Sequence, residues 1–159
     1  MIRLALLSDS HGRVDRFKAL APELERCDAL CHLGDLVPDG QRISQMLGLP
    51  LHGVRGNCDG WENAPEEILL NVAGHKLLLC HGHRYGVKTS LDALLNSAHF
   101  AGAQLVLYGH THIARIDYPA GMTVVNPGMC GAREPATFAL IDISPAGGIA
   151  ARILPARQL

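Results

Sequence analysis

Short apolar runs, each closed by a glycine or a polar pair, recur along the whole chain. Ile2 to Leu7 reads as a strand, and a polar turn from Asp9 to Gly12 follows it. Val14, Phe17, Leu20 and Leu24 are spaced to form one face of a helix over Val14 to Arg26. Ala29 to Leu33 is a second short strand that ends at Gly34-Asp35. Pro38 is placed to begin a helix carrying Ile43, Met46 and Leu47, which Gly48 and Pro50 stop. Leu51 to Val54 makes a third strand, closing on Gly56-Asn57. This alternation of strand and helix predicts parallel strands joined by right-handed crossovers.

The second half has a different rhythm. Glu67 to Val72 and His75 to Cys80 flank Ala73-Gly74, which predicts an antiparallel hairpin. Thr89 to Phe100 reads as a helix with Leu91, Leu94, Leu95 and Ala98 on one face. Leu105 to Tyr108 is a buried strand that Gly109 ends. Ile113 to Tyr118, Thr123 to Val125, Ala136 to Ile143 and Ile149 to Leu154 follow as short strands separated by glycine and proline. With no repeat, low-complexity tract or linker, the expectation is one α/β domain over 1–159 with two sheets. Its polar motifs should gather on one rim, because ligand sites in open α/β sheets lie beyond the carboxyl ends of the strands.

Composition narrows the function. A chain of 159 residues is long enough to bury a real core, and 48% hydrophobic against 18% charged residues suits a compact soluble globule. The net charge of −1 gives no global field for nucleic acid or membrane, so any attraction for phosphate must be local. Aromatic residues at 4% are too few for a base-stacking surface. The opening apolar run is too short for a signal peptide, and no stretch is long enough to span a bilayer. Five cysteines, an odd number without finger-like pairs, argue against a disulfide framework and for a reducing cytoplasm. Cys27 and Cys31 are expected to pack as small hydrophobes.

Polar motifs stand where apolar runs end: Asp9-Ser10-His11, Gly34-Asp35, Gly56-Asn57, His81-Gly82 and Gly109-His110-Thr111-His112. Imidazole is the commonest protein ligand for transition metals, and two imidazoles one residue apart at a strand end can point into the same space. Hydrolysis of a phosphate ester at neutral pH needs a strong nucleophile and neutralisation of the phosphoryl oxygens. Two cations roughly 3.5–4 Å apart supply both. Asp9, His11, Asp35, Asn57, His81, His110 and His112 are the candidate ligands. A mixed nitrogen and oxygen set without thiolate suits manganese, iron, zinc, nickel or cobalt better than calcium or magnesium. Two dications, two carboxylates and one hydroxide leave about +1, a match for a singly charged phosphodiester.

These motifs, in this order, resemble the calcineurin-like metallophosphoesterase superfamily, most closely its small cap-free bacterial and archaeal phosphodiesterase branch. The resemblance runs from Asp9 to Asn126-Pro127-Gly128. It implies a four-layer αββα sandwich with two mixed β-sheets and a dinuclear centre of divalent ions, manganese placed first. Carried over residue by residue, it assigns Asp9, His11 and His112 to one ion. Asn57, His81 and His110 go to the other, and Asp35 bridges the pair. A bridging hydroxide would attack phosphorus in line while Asn57 steadies a phosphoryl oxygen, so Asn57, Asp35 and His110 are expected to carry the catalytic step. Many members follow the asparagine with a histidine that helps the leaving group. Here Cys58 stands at that position, a poorer proton donor, as is frequent in the small branch.

His83, Arg84 and Tyr85 are the candidate substrate contacts, with an exposed loop as the alternative. Thr111, Asp59 and Asn126-Pro127-Gly128 are read either as supports of the site or as ordinary turn residues. His32, His52, His75 and His99 are expected to take no part in catalysis, and Asp15 and Asp28 to be ordinary carboxylates. The expected partner is a small phosphodiester, with no membrane and no nucleic-acid partner in view and the oligomeric state open. Two alternatives share the fold: a nuclease, which would need a basic groove or extra domains, and a protein-binding scaffold like the retromer subunit of this superfamily. A complete ligand set separates enzyme from scaffold.

Overall fold

The computed structural model describes residues 1–10, 22–60, 64–131 and 136–156. His11, Asp15 and most of the helix expected from Val14 to Arg26 lie outside the described residues, although 22–24 are helical. The elements run β1 (Ile2–Leu7), β2 (Ala29–His32), α1 (Val37–Leu47), β3 (Leu51–Gly53), β4 (Glu67–Val72) and β5 (His75–Cys80). Then follow α2 (Asp92–Ala101), β6 (Leu105–Leu107), β7 (Arg115–Asp117), β8 (Thr123–Asn126), β9 (Thr137–Ser144) and β10 (Gly148–Pro155).

They form two mixed sheets. The first has the order β10-β9-β1-β2-β3, with β1, β2 and β3 parallel and β9 and β10 antiparallel beside them. The second has the order β4-β5-β6-β8-β7, with β5, β6 and β8 parallel and an antiparallel strand at each edge. Residues alternate sides along a strand, and the sequence uses both sides of each. Leu4, Leu6, Cys31 and Leu33 face Leu77, Leu79, Leu105 and Leu107 in a core between the sheets. Ala5, Leu7, Leu30 and Leu140 turn outward to Leu24, Ile43 and Phe138. Leu78, Val106, Tyr108 and Val124 turn outward on the other sheet to Leu94 and Ala98. Three apolar interfaces therefore separate four layers, helix, sheet, sheet and helix.

The element ends follow local chemistry. Pro38 sits in the first turn of α1, and Gly48, at φ 68°, ends it. Helix α2 begins at Asp92 instead of Thr89. The Gly86 carbonyl accepts the amides of Thr89 and Ser90, which closes a turn there, and the Ser90 hydroxyl accepts the Asp92 N–H. The strand expected from Ile113 shortens to Arg115–Asp117 because Thr111 Oγ1 captures the Ile113 N–H. Among the described residues no helix is long and apolar enough to cross a membrane.

Candidate metal centre

The parallel strands of both sheets deliver the candidate ligands to one rim. Asp9 lies just past β1, Asp35 past β2, Asn57 past β3, His81 directly after β5, and His110 and His112 past β6. At the ends of β1, β2 and β6 the backbone turns sharply. Asp9, Asp35, His110 and His112 have φ of 54°, 58°, 71° and 64°. Aspartate and histidine enter this left-handed region more readily than most residues, but it persists only where the surroundings over-determine it. Glycine is required beside them for space. A Cβ on Gly56 would lie 2.3 Å from Asp35 Oδ1, and one on Gly34, at φ 102°, would lie 2.6 Å from the Gly56 amide nitrogen.

Asp9, Asp35 and His112 bring ligand atoms within 4.8 Å of one another. His112 Nε2 donates to Asp9 Oδ1 at 3.1 Å. His81 is fully buried, and its Nδ1 donates to the Leu33 carbonyl at 2.6 Å. That bond fixes the tautomer, so the neutral ring turns the Nε2 lone pair toward the site. There it meets Asn57 Oδ1 at 3.0 Å, Asp35 Oδ2 at 3.5 Å and Asp9 Oδ1 at 4.0 Å, with His110 Nδ1 at 3.2 Å. A convergence of lone pairs on one small volume is what a divalent cation satisfies, so the donor set fits a metal.

Electrostatics points the same way. Burial raises the Asp9 carboxyl above its usual range, and neighbouring Asp35 adds to the rise against Ser8, His81 and His112. Burial also acts to raise Asp35, but the Cys58 N–H, His81 and Asp9 together bring it below the usual carboxylate range. The pair thus behaves as two acids competing for one positive partner. His110 is pushed down to about 4, first by burial and then by His81 and Lys88, which keeps a neutral, ligating ring at physiological pH.

Several supporting residues carry no metal-binding signature of their own. Asp59 accepts four backbone N–H groups, those of Asp35, Leu36, Val37 and Gly56, at 2.8–2.9 Å. It pins the loop that carries Asp35 to the loop that carries Asn57. The sequence offered Asp59 as a support or a turn residue, and the structure assigns it the larger part. Ser8 donates to Asp9 Oδ2 at 2.6 Å. Buried Asn126 donates to the Gly109 carbonyl and to Thr111 Oγ1, bracing the turn between His110 and His112. Below them, the Gly34 N–H donates to His32 Nδ1, so His32 Nε2 donates to Ser10 Oγ, which in turn donates to Asp39. His32 is a buried structural link, not a ligand. A serine inside the first motif and an acid in the first turn of α1 were the available signals.

The substrate candidates separate. The His83 ring lies 5.4 Å from that of His81 and 6.2 Å from that of His110, at the edge of the cluster. Arg84 extends outward to Glu66 at 2.9 Å. Tyr85 directs its hydroxyl to Glu67 and Ser97. Cys58 is exposed beside Asn57, and among the described residues no disulfide joins the cysteines. Cys27 and Cys31 are buried, as expected. Clefts of about 400 Å³ and about 300 Å³ adjoin the cluster on this side, and His83, Arg84 and Glu66 line both.

Comparison with known proteins matches residues 2–146 to the calcineurin-like phosphoesterase superfamily domain. The probable metallophosphoesterase YsnB of Bacillus subtilis is 31% identical over 128 residues, covering 80% of this chain and 74% of that one. A Streptococcus pneumoniae protein described as a predicted phosphoesterase superposes with a TM-score of 0.82 at 23% identity, over 98% of this chain and 90% of that one. An archaeal phosphodiesterase shares the fold at a TM-score of 0.75 and 18% identity, over 96% and 100% of the chains. So does the zinc complex of Vps29 from Entamoeba histolytica, at 0.77 and 17%, over 98% and 100%.

Proposed function

The chain belongs to the calcineurin-like phosphoesterase superfamily, and from that premise we propose that it is a metal-dependent phosphodiesterase with a dinuclear centre. The observation that carries this reading is the meeting of Asp9, Asp35 and His112 within 4.8 Å of one another, beside the lone pairs of His81 and Asn57. Asp9 and His112 would hold one ion together with His11, which lies outside the described residues. Asn57, His81 and His110 would hold the second, and Asp35 both. Manganese is the first choice for such a nitrogen and oxygen set, and two divalent ions, when bound, neutralise phosphoryl oxygens and lower the pKa of a shared water enough for attack on phosphorus.

The chain's own groups do the rest. Asn57 offers its carbonyl oxygen to the cluster, and of its two amide N–H groups one donates to Cys58 Sγ, which leaves the other for a phosphoryl oxygen. His110 stays neutral, and Asp9 and Asp35 are held in place by Ser8 and the Cys58 amide. His83 and Arg84 would line the path of the substrate. Cys58 occupies the position from which a proton would reach the leaving group, yet burial and then the Asp35 charge raise its thiol pKa. Such a thiol is a weak acid, which favours diesters with good leaving groups. The odd number of cysteines suits a reducing, cytoplasmic setting.

The likeness to Vps29 favours a second reading, a scaffold that binds protein partners. Reconstitution separates the two. Metal-stripped protein is expected to regain hydrolysis of an aryl phosphodiester when manganese or nickel is added. Failure with every divalent ion tried would support the scaffold instead.

A further inference from the structure

Strand β4 forms one edge of the second sheet, and among the described residues only β5 hydrogen-bonds to its main chain. The hairpin between the two strands decides which groups of β4 are left over. Ala73 and Gly74, at φ 49° and 82°, make a two-residue turn of the kind that keeps the flanking Val72 and His75 in a doubly bonded pair. Bonded and unbonded pairs then alternate, so Leu70 and Ile68 also bond across, to Leu77 and Leu79. Lys76 agrees with this parity, because its amide and carbonyl turn away from Asn71 to Gln104. Glu67, Leu69 and Asn71 therefore point their N–H and C=O groups out of the sheet, and these three are the exposed residues of the strand.

An unpaired edge invites another strand, and proteins blunt their edges against it. The other three edges of this fold are blunted. Strands β3 and β7 are three residues long, and β10 carries Arg152 and ends at Pro155. Strand β4 has six residues without proline, glycine or lysine, and Leu69 in its middle is 52% exposed. What this edge presents is also complementary to itself. Laid antiparallel against a second copy, with the two-fold axis at Leu69, it matches Leu69 with Leu69 and Glu67 with Asn71. Three such doubly bonded pairs supply about six main-chain hydrogen bonds. An apolar pair lies at the centre, and each carboxylate faces an amide able to donate to it. A parallel pairing would set Glu67 against Glu67, and moving the axis by one residue would set Leu69 against Asn71 or Glu67.

We propose that β4 pairs with β4 of a second copy of this chain, so that two five-stranded sheets join into one of ten. A contact of this size belongs to the weak, concentration-dependent class of interface. It also reaches the candidate site. Glu67 lines the cleft of about 300 Å³ together with His83, Arg84 and Tyr85, so the partner's Asn71 comes to the border of that cleft. The inference stands on strand geometry and does not depend on the metal centre.

Sedimentation velocity of the full chain, from about 5 µM to about 500 µM, is expected to show a monomer–dimer equilibrium. Residue-resolved amide exchange should show Ile68, Leu70 and Val72 protected at every concentration, and Glu67, Leu69 and Asn71 gaining protection only as the dimer fills. Leu69→Lys sets two ammonium groups opposite each other and should weaken association by roughly 10-fold or more. Asn71→Glu should weaken it several-fold by setting carboxylate against carboxylate, and adding Glu67→Gln to the same chain should restore it. If a variant misfolds by circular dichroism, the exchange pattern of the unaltered chain decides. A protein that stays monomeric at about 500 µM overturns the proposal. So does a dimer that keeps its affinity in Leu69→Lys, or one that leaves the amides of Glu67, Leu69 and Asn71 unprotected.

Discussion

The two sheets bring unlike chemistry to the rim where they meet. Among the described residues, the first sheet supplies oxygen donors, Asp9, Asp35 and Asn57. The second supplies nitrogen donors, His81, His110 and His112. Their supports differ as well. The carboxylates are held by donors, the Ser8 hydroxyl on Asp9 and the Cys58 N–H on Asp35. His81 is held by an acceptor, the Leu33 carbonyl, which belongs to the end of the first sheet. Neither sheet carries a complete candidate site. The apolar core between them, Leu6 and Leu33 against Leu79 and Leu107, sets how closely the two donor sets approach. A metal centre built across an interface depends on the packing of that interface as much as on the ligands.

The contrast is most directly broken at its acidic centre. In the proposed dinuclear centre, Asp35→Asn would remove a shared oxygen ligand and a negative charge. It is expected to lower metal content and diester turnover together by more than about 100-fold, beyond the loss typical of an outer support. Retention of two metals with full turnover would show that Asp35 is not the bridge. Asp59→Asn comes next, because an amide cannot accept four N–H groups with both of its heavy atoms. Metal affinity, followed by competition with a chelator, should fall roughly 10- to 100-fold while the ligand residues stay intact.

The link beneath the first sheet predicts a pH dependence. Burial holds His32 down to about 4 in the folded chain, from an ordinary value of 6.5. Between those values the unfolded chain binds the additional proton. Stability of the metal-stripped protein should therefore fall as pH drops from about 6.5 toward about 4, by at most roughly 3 kcal/mol. His110, also lowered, acts in the same direction. Denaturant midpoints across this range should show the slope, and His32→Gln should flatten it. The smallest expected effect is at the outer cleft. Arg84→Ala removes an exposed ion pair and should leave unfolding free energy within about 0.5 kcal/mol, whatever it does to ligand selection. A large loss there would make Arg84 a structural residue of the second sheet.

Much of this was legible in the chain. The hairpin of β4 and β5 has the bounds that Ala73-Gly74 and its flanking runs predict, because a tight turn fixes the register locally. The parallel strands announce themselves as continuous apolar runs, since both faces are covered. The motifs at their ends are legible because a sharp turn there demands glycine, aspartate or histidine. The supports were less so. Asp59 serves amides at Asp35, Leu36 and Val37, which lie 24, 23 and 22 positions away. The Ser10–His32–Asp39 chain spans 29 positions, and nothing in local spacing marks such a pairing.

The sequence by itself determined most of the described elements, the superfamily and the residues able to ligate a metal, because period, turn chemistry and donor type are local properties. Only the tertiary structure decided which lone pairs converge, which tautomer His81 holds, and that Arg55 and Arg84 share one carboxylate. Those are matters of distance between segments remote in the chain. They are fixed by the burial of the two sheets against each other, whose apolar side chains carry no record of their partners.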